Sequence, residues 1–151
     1  MASTSEHVEL RDDLLRLVTG RLVDPLGILL QSEAAVAGVR RQLRSDAEMW
    51  AAQLLGDDQE QAKRLAIRLL AALYPSDEPF QPPDQWWRTP LGRVVARTVG
   101  HPAAESLSLA VAGAMLGISR QGVHDLVRRH KLDRHPDGGV TSESVRQRLR
   151  G

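Results

Sequence analysis

Cysteine is absent from the 151 residues, which excludes disulfides, thiolate zinc sites and cysteine nucleophiles and fits a reducing, cytoplasmic setting. Long apolar runs are missing too. The longest, Leu107 to Ile118, is interrupted by glycine and serine and falls far short of the roughly 20 residues a membrane span needs. Met1 to Ser5, followed by Glu6, His7 and Glu9, lacks the basic and apolar regions of a secretory leader, so export is not expected. Aromatic side chains make up only 3% of the chain. Neither a glycine-rich phosphate loop nor an HExxH motif occurs. Asp12-Asp13 and Asp57-Asp58 read as solvated or capping groups rather than paired catalytic carboxylates. Gly117 to Gly122 has one residue too many between serine and the second glycine for a nucleophile elbow. His124, His130 and His135 match no common zinc spacing. An enzyme is therefore not expected, and no cofactor or metal is implied.

What remains is a soluble, globular composition, 42% hydrophobic and 26% charged, with a net charge of +1 that conceals an asymmetry. From residue 81 onward eleven basic residues face six acidic ones, a balance of +5, while the first 80 residues carry nine basic against thirteen acidic, or −4. A basic module joined to an acidic one suits a nucleic-acid reader with a separate assembly domain, because phosphate attraction needs a local field.

Proline punctuates the chain at Pro75, Pro79, Pro82, Pro83 and Pro90, a stretch that regular helix cannot cross. Phe80, Trp86 and Trp87 lie within it, so an ordered, docked connection is expected rather than a free tether. The expected organisation is a helical bundle over 1–74 for dimerisation or partner binding, a linker over 75–90, and a helix-turn-helix domain over 91–151.

In the first part, Leu10, Leu14, Leu17 and Val18 share a face and predict a helix from about Val8 to Val23, with Asp12 set to pair with Arg16. Asp24-Pro25 reads as a helix start. The stripe Val36, Val39, Leu43, Ala47, Trp50 and Leu54 follows, as one long helix or, if Ser45 and Glu48 form a capping box, two. Asp57 or Asp58 then caps a helix with Ala62, Leu65, Ala66, Leu69, Leu70 and Leu73 at amphipathic spacing. Such faces with short gaps imply an antiparallel bundle or a helix-exchanged dimer.

The sequence LSLAVAGAMLGISRQGVHDLVRRHKL, Leu107 to Leu132, describes two helices joined by a tight turn. Gly113 permits close crossing, Gly117 supplies the turn, Ile118 fills the angle, and Ser119 caps the second helix. That helix turns Val123, Leu126 and Val127 inward and Arg120, Gln121, His124 and Arg128 outward, with Ser119 and Gly122 near its N-terminal end. Arginine and glutamine can make paired bonds to guanine and adenine edges in a major groove, while the end amides meet phosphate.

These residues resemble the winged helix-turn-helix family of excisionases and MerR-like regulators, in Leu107-Ser108, Ala112-Gly113, Leu116-Gly117-Ile118-Ser119, Arg120, Val123, Leu126 and Lys131-Leu132. His124 replaces a common tyrosine and Gly122 a common arginine or threonine. The resemblance implies a short β-hairpin wing over Leu132 to Thr141, turning at Pro136-Asp137-Gly138-Gly139, with Arg134 and His135 toward the DNA backbone or minor groove. A last helix, capped by Thr141 or Ser142, closes the domain by burying Val145 and Leu149.

The expectation is thus a mainly α-helical protein that binds double-stranded DNA sequence-specifically, as a homodimeric bacterial transcription regulator in the cytoplasm at the nucleoid. The DNA-binding residues are Ser119, Arg120, Gln121, Gly122, His124, Arg128, Arg134 and His135. Alternative readings are a protein-interaction adaptor, such as an antitoxin or segregation partner acting through the N-terminal helices, and an excisionase-like architectural DNA binder.

Overall fold

Helices dominate the computed structural model, which describes residues 3–151, and a two-stranded antiparallel sheet lies near the C-terminus. The chain divides into two units, Met1–Pro75 and Ser76–Gly151. Cut there, the second unit holds eleven basic against eight acidic residues, so its excess is +3 and the first unit's is −2; Asp77 and Glu78 belong with the basic half.

In the first unit, α1 (Thr4–Val18) begins at Ser3, whose hydroxyl accepts from the Glu6 amide at 3.1 Å. Leu10, Leu14 and Val18 are buried, as their spacing predicts. Arg16 pairs with Asp13 at 2.7 Å rather than with Asp12, which Arg11 holds at 2.9 Å. The break expected at Asp24-Pro25 does not occur. A single π turn, Thr19–Val23, carries the helix into α2 (Asp24–Leu30), and the Asp24 amide reaches back to the Thr19 carbonyl. Widening the turn is a way for a helix to accept a proline, which has no amide hydrogen and crowds the carbonyl four residues earlier. Asp24 is itself helical and caps nothing; its carboxylate pairs with Arg40 at 2.8 Å.

The true break comes at Gln31, which is left-handed (φ 53°), followed by Ser32, whose hydroxyl caps α3 (Glu33–Leu54) through the Ala35 amide. This is one helix, running through Ser45, and its buried stripe is Val36, Leu43, Ala47, Ala51 and Leu54, with Val39 exposed. Asp58 caps α4 (Gln59–Leu73), whose Ala62, Leu65, Ala66, Leu69, Leu70 and Leu73 are all buried. The core of this unit is α3 packed against α1 and α4.

The second unit opens with a 3₁₀ turn, Asp84–Arg88, that buries Trp87 completely. Trp87 meets Trp86 edge-on and tilts over the His101 ring at 5.3 Å, so this tryptophan is core. Thr89 caps α5 (Pro90–Thr98) through the Gly92 amide. Strand β1 (Ser106–Leu107) pairs antiparallel with β2 (Val140–Thr141). Between them lie α6 (Leu109–Leu116) and α7 (Arg120–Arg128), and α8 (Ser142–Arg150) ends the chain, packed on α5 and α6. Thr141 caps α8, Val145 is fully buried and Leu149 partly. Among the described residues no helix is long and apolar enough to cross a membrane.

Candidate nucleic-acid interface

The turn between α6 and α7 is built as its residue types require. Gly117 is left-handed (φ 73°) and open to solvent, a conformation costly for a residue with a Cβ. The Ile118 amide donates to the Gly113 carbonyl at 2.9 Å, closing α6. Gly113 serves close approach instead, since a Cβ there would lie 2.8 Å from the Ile118 carbonyl oxygen and a larger residue would push the turn away from α6. Ser119 accepts from the Gly122 amide at 3.0 Å and caps α7. Arg88 donates to the Ile118 carbonyl at 3.2 Å, tying the 3₁₀ turn to the same corner; nothing in the sequence marks Arg88 for this role.

α7 is braced from behind. Val123 and Val127 are buried, and α6 lies against this helix. At 100° per residue, Gln121, Asp125 and Arg128 fall on the arc opposite Val123 and Val127, His124 lies at its flank, and Arg120 lies close to the azimuth of Val127 but in the open first turn. Ser119, Arg120, Gln121 and Arg128 are exposed, Gly122 and His124 partly so, which puts all six expected residues of this segment on or beside the outward face. Asp125 is the member that sequence reasoning missed. Its carboxylate accepts from Gln121 Nε2 at 3.2 Å and lies 4.0 Å from Arg128 Nη2, holding both side chains and diluting the positive charge of the face.

α7 ends at His130, left-handed (φ 59°), with the Lys131 amide donating to the Leu126 carbonyl at 2.8 Å. Histidine here adopts a conformation that usually calls for glycine, and it terminates the helix. Among the described residues no group of three histidines or carboxylates is arranged to hold a metal ion.

After α7 the chain makes a narrow hairpin. Arg134 bridges to Val140, the Thr141 amide donates to Asp133 at 2.9 Å, and the His135 amide donates to Gly139 at 3.1 Å. Gly139 (φ 69°) brings this hairpin against β1, where a Cβ would collide with the Leu107 carbonyl. Ser106 donates its hydroxyl hydrogen to the Gly138 carbonyl across the same contact. Arg134 is exposed on the outer arm. His135 is turned inward, its side chain only 17% exposed, and its Nδ1 accepts from the Asp137 amide at 3.0 Å. It shapes the hairpin tip, and only part of its ring faces solvent.

Electrostatically the outward surface around α7 and the hairpin is cationic, with Arg120, Arg128, Arg129, Lys131 and Arg134 exposed, interrupted by Asp125, Asp133 and Asp137. It is a surface of long donor side chains and one open, capped helix N-terminus, suited to anionic or hydrogen-bonding ligands. No family model, curated protein or solved structure matches this chain.

Proposed function

We propose that this protein binds double-stranded DNA sequence-specifically and regulates transcription as a dimer, with α7 lowered into the major groove. The observation that carries this reading is the amphipathic character of α7. Its apolar side is buried at Val123 and Val127, Gln121 and Arg128 stand on its free side, and Arg120 is exposed in its first turn. Arginine and glutamine on such a helix have the reach and paired donors to read base edges, while Ser119 and the first-turn amides meet phosphate. Arg134, on the hairpin arm, supplies a backbone contact beside the groove. The resemblance to winged helix-turn-helix proteins adds support and rests on the residues from Leu107 to Thr141 themselves. A unit of this size reads few base pairs, so two copies on half-sites about one helical turn apart supply useful affinity.

Selection of bound fragments from a random duplex pool, followed by a salt titration on the selected fragment, tests this reading. The expected result is a two-fold repeated motif whose binding constant falls steeply with salt as counterions are released. Absence of any enriched motif, together with negligible binding at low salt, would overturn it.

A further inference from the structure

Helix α2 is apolar on the side where it should be polar. Its inner side is Val23, buried, and Gly27, where a Cβ would touch Val36 of α3 at 3.4 Å. Its outer arc, with the turn before it, consists of Leu22, Leu26, Ile28, Leu29 and Leu30, and Ile28 and Leu29 are 77% and 78% exposed. Pro25 completes the arc. A surface helix ordinarily presents charged residues there, and a helix that is apolar all round is ordinarily covered.

We propose that a second copy of this chain covers this face, with α2 packing on α2 across a two-fold axis. The charge pattern selects that occupant. A two-fold contact brings a patch against its own copy, so like charges at its centre would repel. From Leu22 to Ser32 the only charged residue is Asp24, and Arg40 neutralises it at 2.8 Å. The cations that flank the arc are engaged within the chain, Arg21 by the Leu73 carbonyl and the Tyr74 ring and Arg40 by Asp24 and Glu33, so the arc itself offers no cation to a nucleic acid or an anionic lipid surface. Size points the same way. The exposed fractions of the five aliphatic residues amount to about three whole side chains, roughly 300 Å² of apolar surface per copy, enough for the dry centre of a standard interface of about 800 Å² per partner with a polar rim. The rim is at hand in Arg40 and Glu33, which pair at 2.6 Å.

This proposal deepens the two-half-site reading and rests on it for its purpose, but association is measured without DNA. Sedimentation equilibrium of the full chain over about 1 to 200 µM should give a monomer–dimer equilibrium with a micromolar constant. Leu29→Asp should raise that constant at least ~30-fold while the circular dichroism spectrum stays unchanged, because Leu29 supports nothing within its own chain. Should Leu29→Asp fail to fold, Leu29→Cys in this cysteine-free chain replaces it. Oxidation should then cross-link Leu29→Cys into a dimer and leave Arg64→Cys, on α4, uncross-linked. A wild-type chain that stays monomeric throughout overturns the proposal, including one that pairs with a different protein or floats with phosphatidylglycerol vesicles. So does a dimer that Leu29→Asp leaves intact, or equal cross-linking of both cysteine variants. A dimer sensitive to Leu29→Asp that binds no duplex keeps this interface and ends the DNA reading, whereas tight duplex binding by a monomer does the reverse.

Discussion

Gly113 and Gly122 allow the geometry of the helix-turn-helix corner to be tested apart from helix propensity. Both are helical glycines with negative φ, and alanine at either position gains up to about 1 kcal/mol from reduced backbone freedom in the unfolded chain. They differ in the space beside them. At Gly113 the new methyl would lie 2.8 Å from the Ile118 carbonyl oxygen, a backbone atom that moves only if the whole turn moves. At Gly122 the nearest atoms are the Ile118 Cδ1 and the Ser119 hydroxyl, both at an ordinary 3.4 Å. Overpacking against a fixed group costs about 1–3 kcal/mol, so Gly113→Ala should be less stable than Gly122→Ala by about that amount. In a domain of this size each kcal/mol moves the midpoint by roughly 4–8 °C, so the two variants should melt about 5–20 °C apart, with Gly122→Ala at or above wild type. Thermal unfolding followed by the fluorescence of Trp86 and Trp87, which lie in the second unit, is the assay. Equal midpoints for the two alanine variants would refute the close crossing of α6 and the turn.

Arg120→Ala or Gln121→Ala should relax sequence preference at one base position, each costing about 1–3 kcal/mol on the preferred site, whereas Arg134→Ala should weaken all sequences alike and flatten the salt slope by about one; competition binding on matched and mutated duplexes separates the two patterns. Asp125→Asn removes a negative charge from the outward face of α7 and loosens Arg128, so duplex affinity at low salt should rise several-fold, and unchanged affinity would remove Asp125 from the interface. Burial lowers the pKa of His101, and its Nδ1 accepts from the amides of Ala103 and Ala104 at 3.1 and 2.9 Å, which a protonated ring could not do. Because the folded value lies below the ordinary 6.5, this stabilisation is complete above that pH and is lost as pH falls through the depressed value. Denaturant midpoints from pH 7.5 to about 5 should therefore decline, and His101→Asn, which can accept the same amides without titrating, should flatten the decline.

Much of this architecture is legible from the residues because several signals agree. In α4 the cap at Asp58 and the buried leucines follow one pattern, and in the helix-turn-helix corner Gly113, Gly117 and Ser119 each announce a distinct backbone need. The failures have physical causes. Gln31 and His130 adopt left-handed conformations for which glycine is the usual mark, so nothing in their identity flags a helix end. Val39 lies outside the buried stripe and Ala51 within it, a distinction decided by packing around α3 that a small alanine does not advertise. Asp24-Pro25 carries a helix-start signature, yet the π turn absorbs the proline because α3 holds that segment in place through Val36 and Arg40. Strands of two residues offer no alternation, so the pairing of β1 with β2 has no periodic signal. Asp125 is hidden among the cations around it, although its place on the outward arc follows from the same 100° rotation.

Sequence-specific binding through the outward face of α7 is what the proposed function requires of this molecule. Chemical-shift mapping of ¹⁵N-labelled protein titrated with a selected duplex probes that face residue by residue. Perturbations should concentrate at Ser119 to Arg129 and along the hairpin from Arg134 to Gly139, with the amides of α4 unmoved. Shifts centred on the N-terminal helices, with α7 silent at saturating duplex, would contradict the proposed function.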